Sequence, residues 1–180
     1  PFCDSLCHYC GCNMVATRDY GKTQPYLSTL DREMVHTAQR IDTGRVVHQL
    51  HWGGGTPTYL HPDDIRRLMA ITRTHFTLAA DAEISCEADP RELTYEHLAA
   101  LRECGFNRVS FGVQDLDPAV QQAVNRIQSE ALIQQVLDWS RELGFSSINL
   151  DLIVGLPKQT VASFSRTLAR VVTWAPDRLA

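Results

Sequence analysis
Short β-branched runs alternate with amphipathic stretches along almost the whole of this 180-residue chain, and that alternation limits the fold more than any other feature. It is the pattern of βα units around a parallel sheet. The expected strands are Val46–Trp52, Ala82–Glu87, Arg108–Val113 and Ser147–Val154. Between them, helices have readable ends. Pro25 opens a helix with the apolar stripe Leu27, Leu30, Met34, Ala38 and Ile41, and Gly44 lies beyond its end. Pro62 opens the next, carrying Ile65, Leu68 and Met69. Thr94 caps a helix that stops at Gly105, Ser129 caps one that stops at Gly144, and Thr160 caps the last, with Phe164, Leu168 and Val171 on one face. Strands recurring every 25 to 40 residues or so predict a TIM-like (β/α) barrel or part of one, with a Rossmann sheet as the runner-up.

A chain of this length buries roughly 70% of its unfolded surface, which suits one domain better than two. The formal charge of −4 with mixed signs gives no basic stripe, which argues against nucleic acid as a partner. No apolar run approaches the ~18 residues of a membrane span, so a soluble, cytoplasmic protein is expected. The chain opens at Pro1-Phe2 directly on a cysteine string and stops at Asp177–Ala180, where a further strand begins. It reads as a fragment of a longer protein, and a strand is expected before Pro1.

That cysteine string runs Cys3-Asp4-Ser5-Leu6-Cys7-His8-Tyr9-Cys10-Gly11-Cys12. Its C-x3-C-x2-C spacing puts three thiolates on one loop, enough for three corners of a [4Fe–4S] cubane with one iron left open to another molecule. Four cysteines could also hold a structural Zn2+, but such sites usually combine two knuckles separated by a longer stretch, whereas here all four lie within ten residues. A disulfide fits a chain without a secretory signal less well still. His36, His48, His51, His61, His75 and His97 show no metal-ligand spacing and read as core or surface residues, while Cys86 and Cys104 read as small buried apolar side chains.

Chemistry in parallel β/α folds gathers at the carboxyl ends of the strands. One strand ends in Gly53-Gly54-Gly55-Thr56-Pro57-Thr58, which lacks the lysine of a phosphate loop but lets a ligand approach the backbone. Another ends in Glu87, with Glu83 and Ser85 on the same face, and a carboxylate there suits a ribose diol. Gln114 and Asp115 close the next. Asp151 sits in a nearly continuous apolar run, so it meets a cation or faces a polar cavity. Arg126 could pair with a ligand carboxylate, although a surface position is the default for a single arginine.

The C-x3-C-x2-C loop with Tyr9 before its third cysteine, followed by a Gly-Gly-Gly strand end, resembles the radical S-adenosylmethionine (SAM) superfamily. The ordered set Cys10-Gly11-Cys12-Asn13, His51–Tyr59, Glu87–Glu92, Gly105–Arg108, Gly112–Asp115, Val124–Arg126 and Asp151–Gln159 resembles the oxygen-independent coproporphyrinogen III oxidases within it. The resemblance runs the length of the chain. It implies a radical SAM core domain over residues 1–180, a partial TIM-like barrel lacking its first strand and C-terminal part. It further implies that Cys3, Cys7 and Cys10 hold the cluster, that Cys12 is not a ligand, and that two SAM molecules bind. Gly54 and Glu87 would contact the one at the cluster, and Tyr9, Gly55, Thr56, Gln114, Arg126 and Asp151 would surround the second.

The implied reaction is oxidative decarboxylation of two propionates of coproporphyrinogen III to vinyls, giving protoporphyrinogen IX in haem synthesis. SAM cleavage supplies a 5′-deoxyadenosyl radical that takes a hydrogen from the propionate β-carbon, and no side chain is needed as a general base. The partners implied are the substrate and an electron donor such as flavodoxin or ferredoxin, with the protein a monomer. The alternatives are a haem-binding chaperone or another porphyrin-acting radical SAM protein; Cys12 favours the oxidase.

Overall fold
The computed structural model describes residues 1–180. Two short parallel strands, β1 (Phe2–Cys3) and β2 (Val15–Ala16), lead into α1 (Thr23–Ala38) and β3 (Val47–Trp52). There follow α2 (Pro62–His75), β4 (Leu78–Ala88), α3 (Tyr95–Glu103), β5 (Arg108–Gln114), α4 (Pro118–Ala123), α5 (Glu130–Glu142), β6 (Ser147–Leu152), α6 (Val161–Thr173) and β7 (Arg178–Leu179). Strands β3 to β7 form one sheet in chain order, every neighbouring pair parallel. A Rossmann sheet reverses its strand order at a switch point, and this sheet does not. Its winding is that of a (β/α) barrel segment.

Alternation along each strand separates two faces. On β4, Ala82, Ile84, Cys86 and Ala88 are buried while Glu83, Ser85 and Glu87 are half-buried. Val109, Phe111 and Val113 of β5 and Ile148 and Leu150 of β6 continue the buried face. Helices cover it, with Leu27, Ile65, Leu98, Leu101, Ile133, Leu137 and Val171 packed into the same core. The other face carries polar side chains around an open cavity of about 700 Å³ that includes Gln49, His51, Ser85, Ser110 and Asn149.

Helix ends follow the expected chemistry. Pro62 is the first residue of α2, where a missing N–H costs no hydrogen bond, and Asp63 and Asp64 sit in its positive first turn. Ser129 accepts from the Leu132 N–H, and Thr160 forms a reciprocal capping box with Ser163. Past the ends of α3 and α5, Gly105 and Gly144 take φ of +95° and +76°, the left-handed conformation that ends a helix.

Several boundaries differ from the expectation. α1 begins at Thr23, with Pro25 inside its first turn, and ends at Ala38; Ile41 lies beyond it, exposed, and Gly44 is not its cap. β4 starts at Leu78 rather than Ala82, and β6 ends at Leu152, leaving Val154 76% exposed. On α6, Thr167 and Val171 are buried whereas Phe164 and Leu168 are half-buried. α4 was not anticipated: at six residues it is too short to show a period, and only Asp117, accepting from the Ala119 N–H, marks its start. β7 forms where a further strand was expected and pairs with β6.

The cap of α3 is pH-sensitive. His97 Nδ1 lies 2.9 Å from Thr94 Oγ1 and accepts from the Thr94 N–H at 3.3 Å, so the cap needs a neutral ring. Burial, and then the nearby His61, hold the His97 pKa below its ordinary value of 6.5. A histidine depressed on folding contributes stability that is complete above its unfolded pKa and is lost as pH falls toward its folded one. Thermal unfolding should therefore show a loss of stability as pH drops below about 6.5, which His97→Gln, a non-titrating capping partner, removes. Equal acid sensitivity in the variant would assign the loss elsewhere.

Candidate functional site
The cysteine loop has little apolar interior of its own and is fixed by distant segments. On one side the Thr56 N–H donates to Phe2 O at 2.8 Å, and Thr56 Oγ1 lies 3.2 Å from Cys3 Sγ. Here Gly55 has a packing role: a Cβ on it would stand 2.9 Å from both Phe2 O and Pro1 C. On the other side, the segment after α4 acts as a cradle. His8 N–H donates to Val124 O at 2.9 Å, and Asn125 Nδ2 donates to Leu6 O at 2.8 Å. Asn125 does this with φ +55°, a conformation asparagine tolerates better than most residues.

Cys3, Cys7 and Cys10 are free and line one cavity of about 160 Å³, and so does Cys12. The same cavity is lined by Tyr9, Gly54, Gly55, Thr56, Glu87, Gln114, Arg126 and Asp151, so the fold brings together every cofactor-binding position expected from the sequence. No three His, Cys, Asp or Glu side chains converge on a point where one metal ion would sit, as a single Zn2+ requires. A cubane offers each thiolate its own iron, and the spread of three thiols around one cavity fits that group. Burial pushes the Cys3 thiol up, opposed by the Thr56 hydrogen bond. Burial also keeps the Tyr9 phenol protonated well above its ordinary range. The Cys12 thiol is raised by its hydrogen bond with Cys10 and by burial.

Three glycines that look alike in sequence differ in place. Gly54, with φ +113° and open space where a Cβ would go, presents its N–H to Glu87 Oε2 at 3.3 Å. A Cβ on Gly53 would meet His51 Nε2 at 2.8 Å. That histidine, read from the sequence as core or surface, bridges Ser85 Oγ (2.8 Å from Nδ1) and Glu87 Oε1 (3.3 Å from Nε2). Asp151 faces the polar cavity, as expected: it accepts from Ser110 Oγ and Asn149 Nδ2, each at 2.7 Å. Glu87, Ser110 and Asp151 border both cavities, so the cluster cavity opens onto the larger polar one.

One default and one expectation give way here. Arg126, placed at the site by the resemblance, does not take the surface position usual for an arginine: it is only 7% exposed, with Nε and Nη2 donating to Gly112 O and Nη1 donating to Asp89 Oδ2 at 2.8 Å. Asp115 does not face the cavity; it is buried, accepting from Thr167 Oγ1, Gln159 Nε2 and the Asp117 N–H, and so ties β5 to α6 and the loop before it. Sequence reasoning also missed Asp89 and Arg91. Arg91 Nε and Nη2 grip the Asp89 carboxylate at 2.6–3.1 Å, and the Nη2 of Arg91 reaches Cys7 Sγ at 3.4 Å. Burial pushes the Asp89 carboxyl up, but the hydrogen bond from Arg91 and the charges of Arg126 and Arg91 outweigh it and hold the group below its ordinary value. The Asp-Pro-Arg string just past a strand end was the available signal.

The radical SAM superfamily model matches residues 1–171. Among curated relatives, oxygen-independent coproporphyrinogen III oxidase of Escherichia coli is 54% identical over 179 residues, 99% of this chain and 39% of the relative. That of Pseudomonas aeruginosa is 49% identical over 181 residues, again 99% of this chain and 39% of the relative. The chain thus spans about two fifths of the length of these relatives. The solved structure of the E. coli coproporphyrinogen III oxidase, described as a radical SAM enzyme, superposes with a TM-score of 0.96 over 100% of this chain and 41% of that one. A radical SAM methyltransferase from Kitasatospora setae shares the fold at 13% identity, with a TM-score of 0.68 over 98% of this chain and 34% of its own. With a match of that extent laid over a sheet whose strand tips surround three clustered thiols, this chain belongs to the radical SAM superfamily.

Proposed function
We propose that this chain is the radical SAM core domain of an oxygen-independent coproporphyrinogen III oxidase, which converts two propionates of coproporphyrinogen III to vinyl groups. Superfamily membership brings a [4Fe–4S] cluster and SAM. Together they supply, when bound and reduced, a 5′-deoxyadenosyl radical able to take a hydrogen from an unactivated carbon. The observation that carries the assignment is the union of the three thiols and the strand-end polar residues in one cavity that opens onto a larger polar one, in a chain about half identical to such oxidases.

In this reading Cys3, Cys7 and Cys10 hold three irons, and Thr56, Asn125 and Val124 keep the loop in the shape that presents them. Gly54 and Glu87 orient the SAM at the open iron. Gly54 adds no side chain at the strand tip, and Glu87 is steadied by its bonds to His51 and the Gly54 N–H. Tyr9, Gly55, Thr56, Gln114, Arg126 and Asp151 surround a second SAM. There Gly55 contributes backbone only, and Arg126 shares its charge between Asp89 and an incoming carboxylate. The protein works as a cytoplasmic monomer that takes electrons from a flavodoxin or ferredoxin. No helix is long and apolar enough to cross a membrane.

Anaerobic product analysis of the whole protein with coproporphyrinogen III, SAM and a reductant tests the reading. Decarboxylated porphyrinogen is the expected product. Haem binding without decarboxylation would replace the oxidase by a chaperone. In the reconstituted protein, iron and sulfide should be lost in Cys3→Ala, Cys7→Ala or Cys10→Ala and retained in Cys12→Ala; equal loss in Cys12→Ala contradicts the three-ligand assignment. Glu87→Ala should weaken SAM binding by about 1.5–3 kcal/mol, the usual range for hydrogen bonds to a charged group, with cluster content unchanged. Equilibrium dialysis with labelled SAM reads this directly, and unchanged affinity would leave Glu87 without a binding role.

A further inference from the structure
We propose that Arg91, held in place by Asp89, is a positioning residue that sets the reduction potential of the cluster through the sulfur of Cys7. Two guanidinium groups converge on that one buried atom: Nη2 of Arg91 at 3.4 Å and Nη1 of Arg126 at 3.5 Å. They come from different parts of the fold, Arg91 from the turn after β4 and Arg126 from the segment after α4. The hydrogen-bond partner of the Cys3 sulfur is instead a neutral hydroxyl, that of Thr56. The positive charge is thus concentrated at one corner of the loop.

Asp89 makes this arrangement specific. Its carboxylate takes Nε of Arg91 at 3.0 and 3.1 Å, Nη2 of Arg91 at 2.6 Å and Nη1 of Arg126 at 2.8 Å, so both forks are locked with donors still free to reach the sulfur. With Asp89 ionised, the three side chains carry one net positive charge against the Cys7 thiolate. Net charge and hydrogen bonds to the sulfurs are among the levers on an iron–sulfur potential. A cationic donor favours the reduced cluster, which carries one more negative charge, over the oxidised one. Arg91 therefore makes the cluster easier to reduce. The inference needs the cluster and not the porphyrinogen, so it survives if the substrate assignment fails.

The test is an EPR-monitored redox titration of the anaerobically reconstituted whole protein and its variants, each checked for iron and sulfide. Arg91→Met, with the cluster fully incorporated, should shift the midpoint potential to more negative values, and Arg91→Lys, which keeps the charge, should lie nearer the parent. An unchanged potential in Arg91→Met, or a shift in Arg91→Lys as large as that in Arg91→Met, overturns the proposal. If Arg91→Met takes up no cluster, Arg91→Gln is read by the same criterion. Failure of both to take up the cluster makes Arg91 a purely structural residue and also overturns it.

Discussion
One carboxylate between two guanidinium groups holds the site together. Asp89 is buried where an unpaired charge would be prohibitive, and Arg91 and Arg126 neutralise it from two directions. Removing one partner of a buried pair of this kind typically costs about 3–5 kcal/mol, because the survivor is left charged and dry. The same arginines extend the link outward. Arg126 reaches Gly112 O near the end of β5, Arg91 reaches Asn125 O, and both reach Cys7. Two strand tips and the cysteine loop are therefore fixed by one set of charges, where the loop's own sequence offers almost nothing to bury.

The concave face of the sheet depends on a different balance. Polar side chains inside a barrel segment are tolerable only when partnered, and here they bond across strands: Ser110 to Asn149 and Asp151, His51 to Ser85 and Glu87, Arg108 to Glu83. The register that sets His51 beside Ser85 and Gly112 beside Asp151 makes these contacts possible. A one-residue slip would turn the polar set toward the helices. Fold and site thus rest on the same alternation.

That alternation is why much of the molecule was legible in the sequence. Ala82, Ile84, Cys86 and Ala88 against Glu83, Ser85 and Glu87 is a period-two signal, and Thr94, Ser129 and Thr160 are capping residues whose chemistry is local. Ile41 was misplaced because it continues the helical spacing of α1 into a turn, where nothing in its own position marks the end. Arg126, Asp89 and Arg91 were harder for a physical reason: their bonds join residues as much as 119 apart, and no short-range pattern encodes such a meeting. Asp115 was misjudged because a polar residue at a strand end can serve a neighbouring helix as readily as a cavity. The packing role of Gly55 against Pro1 and Phe2, which the open Gly54 does not share, was equally hidden, because nothing within the glycine run marks which member is crowded.

The close approach of Gly55 to β1, together with the grip of Val124 and Asn125 on Leu6 and His8, bears on how such a protein can be rebuilt. The cysteine string is not a portable cassette. Its geometry is written in segments some 50 and 120 residues away, so grafting residues 3–12 onto another sheet would transfer the thiols without the walls that shape them. Recombination between relatives should therefore tolerate crossovers in the outer helices far better than any that separate the loop from positions 53–56 and 124–126.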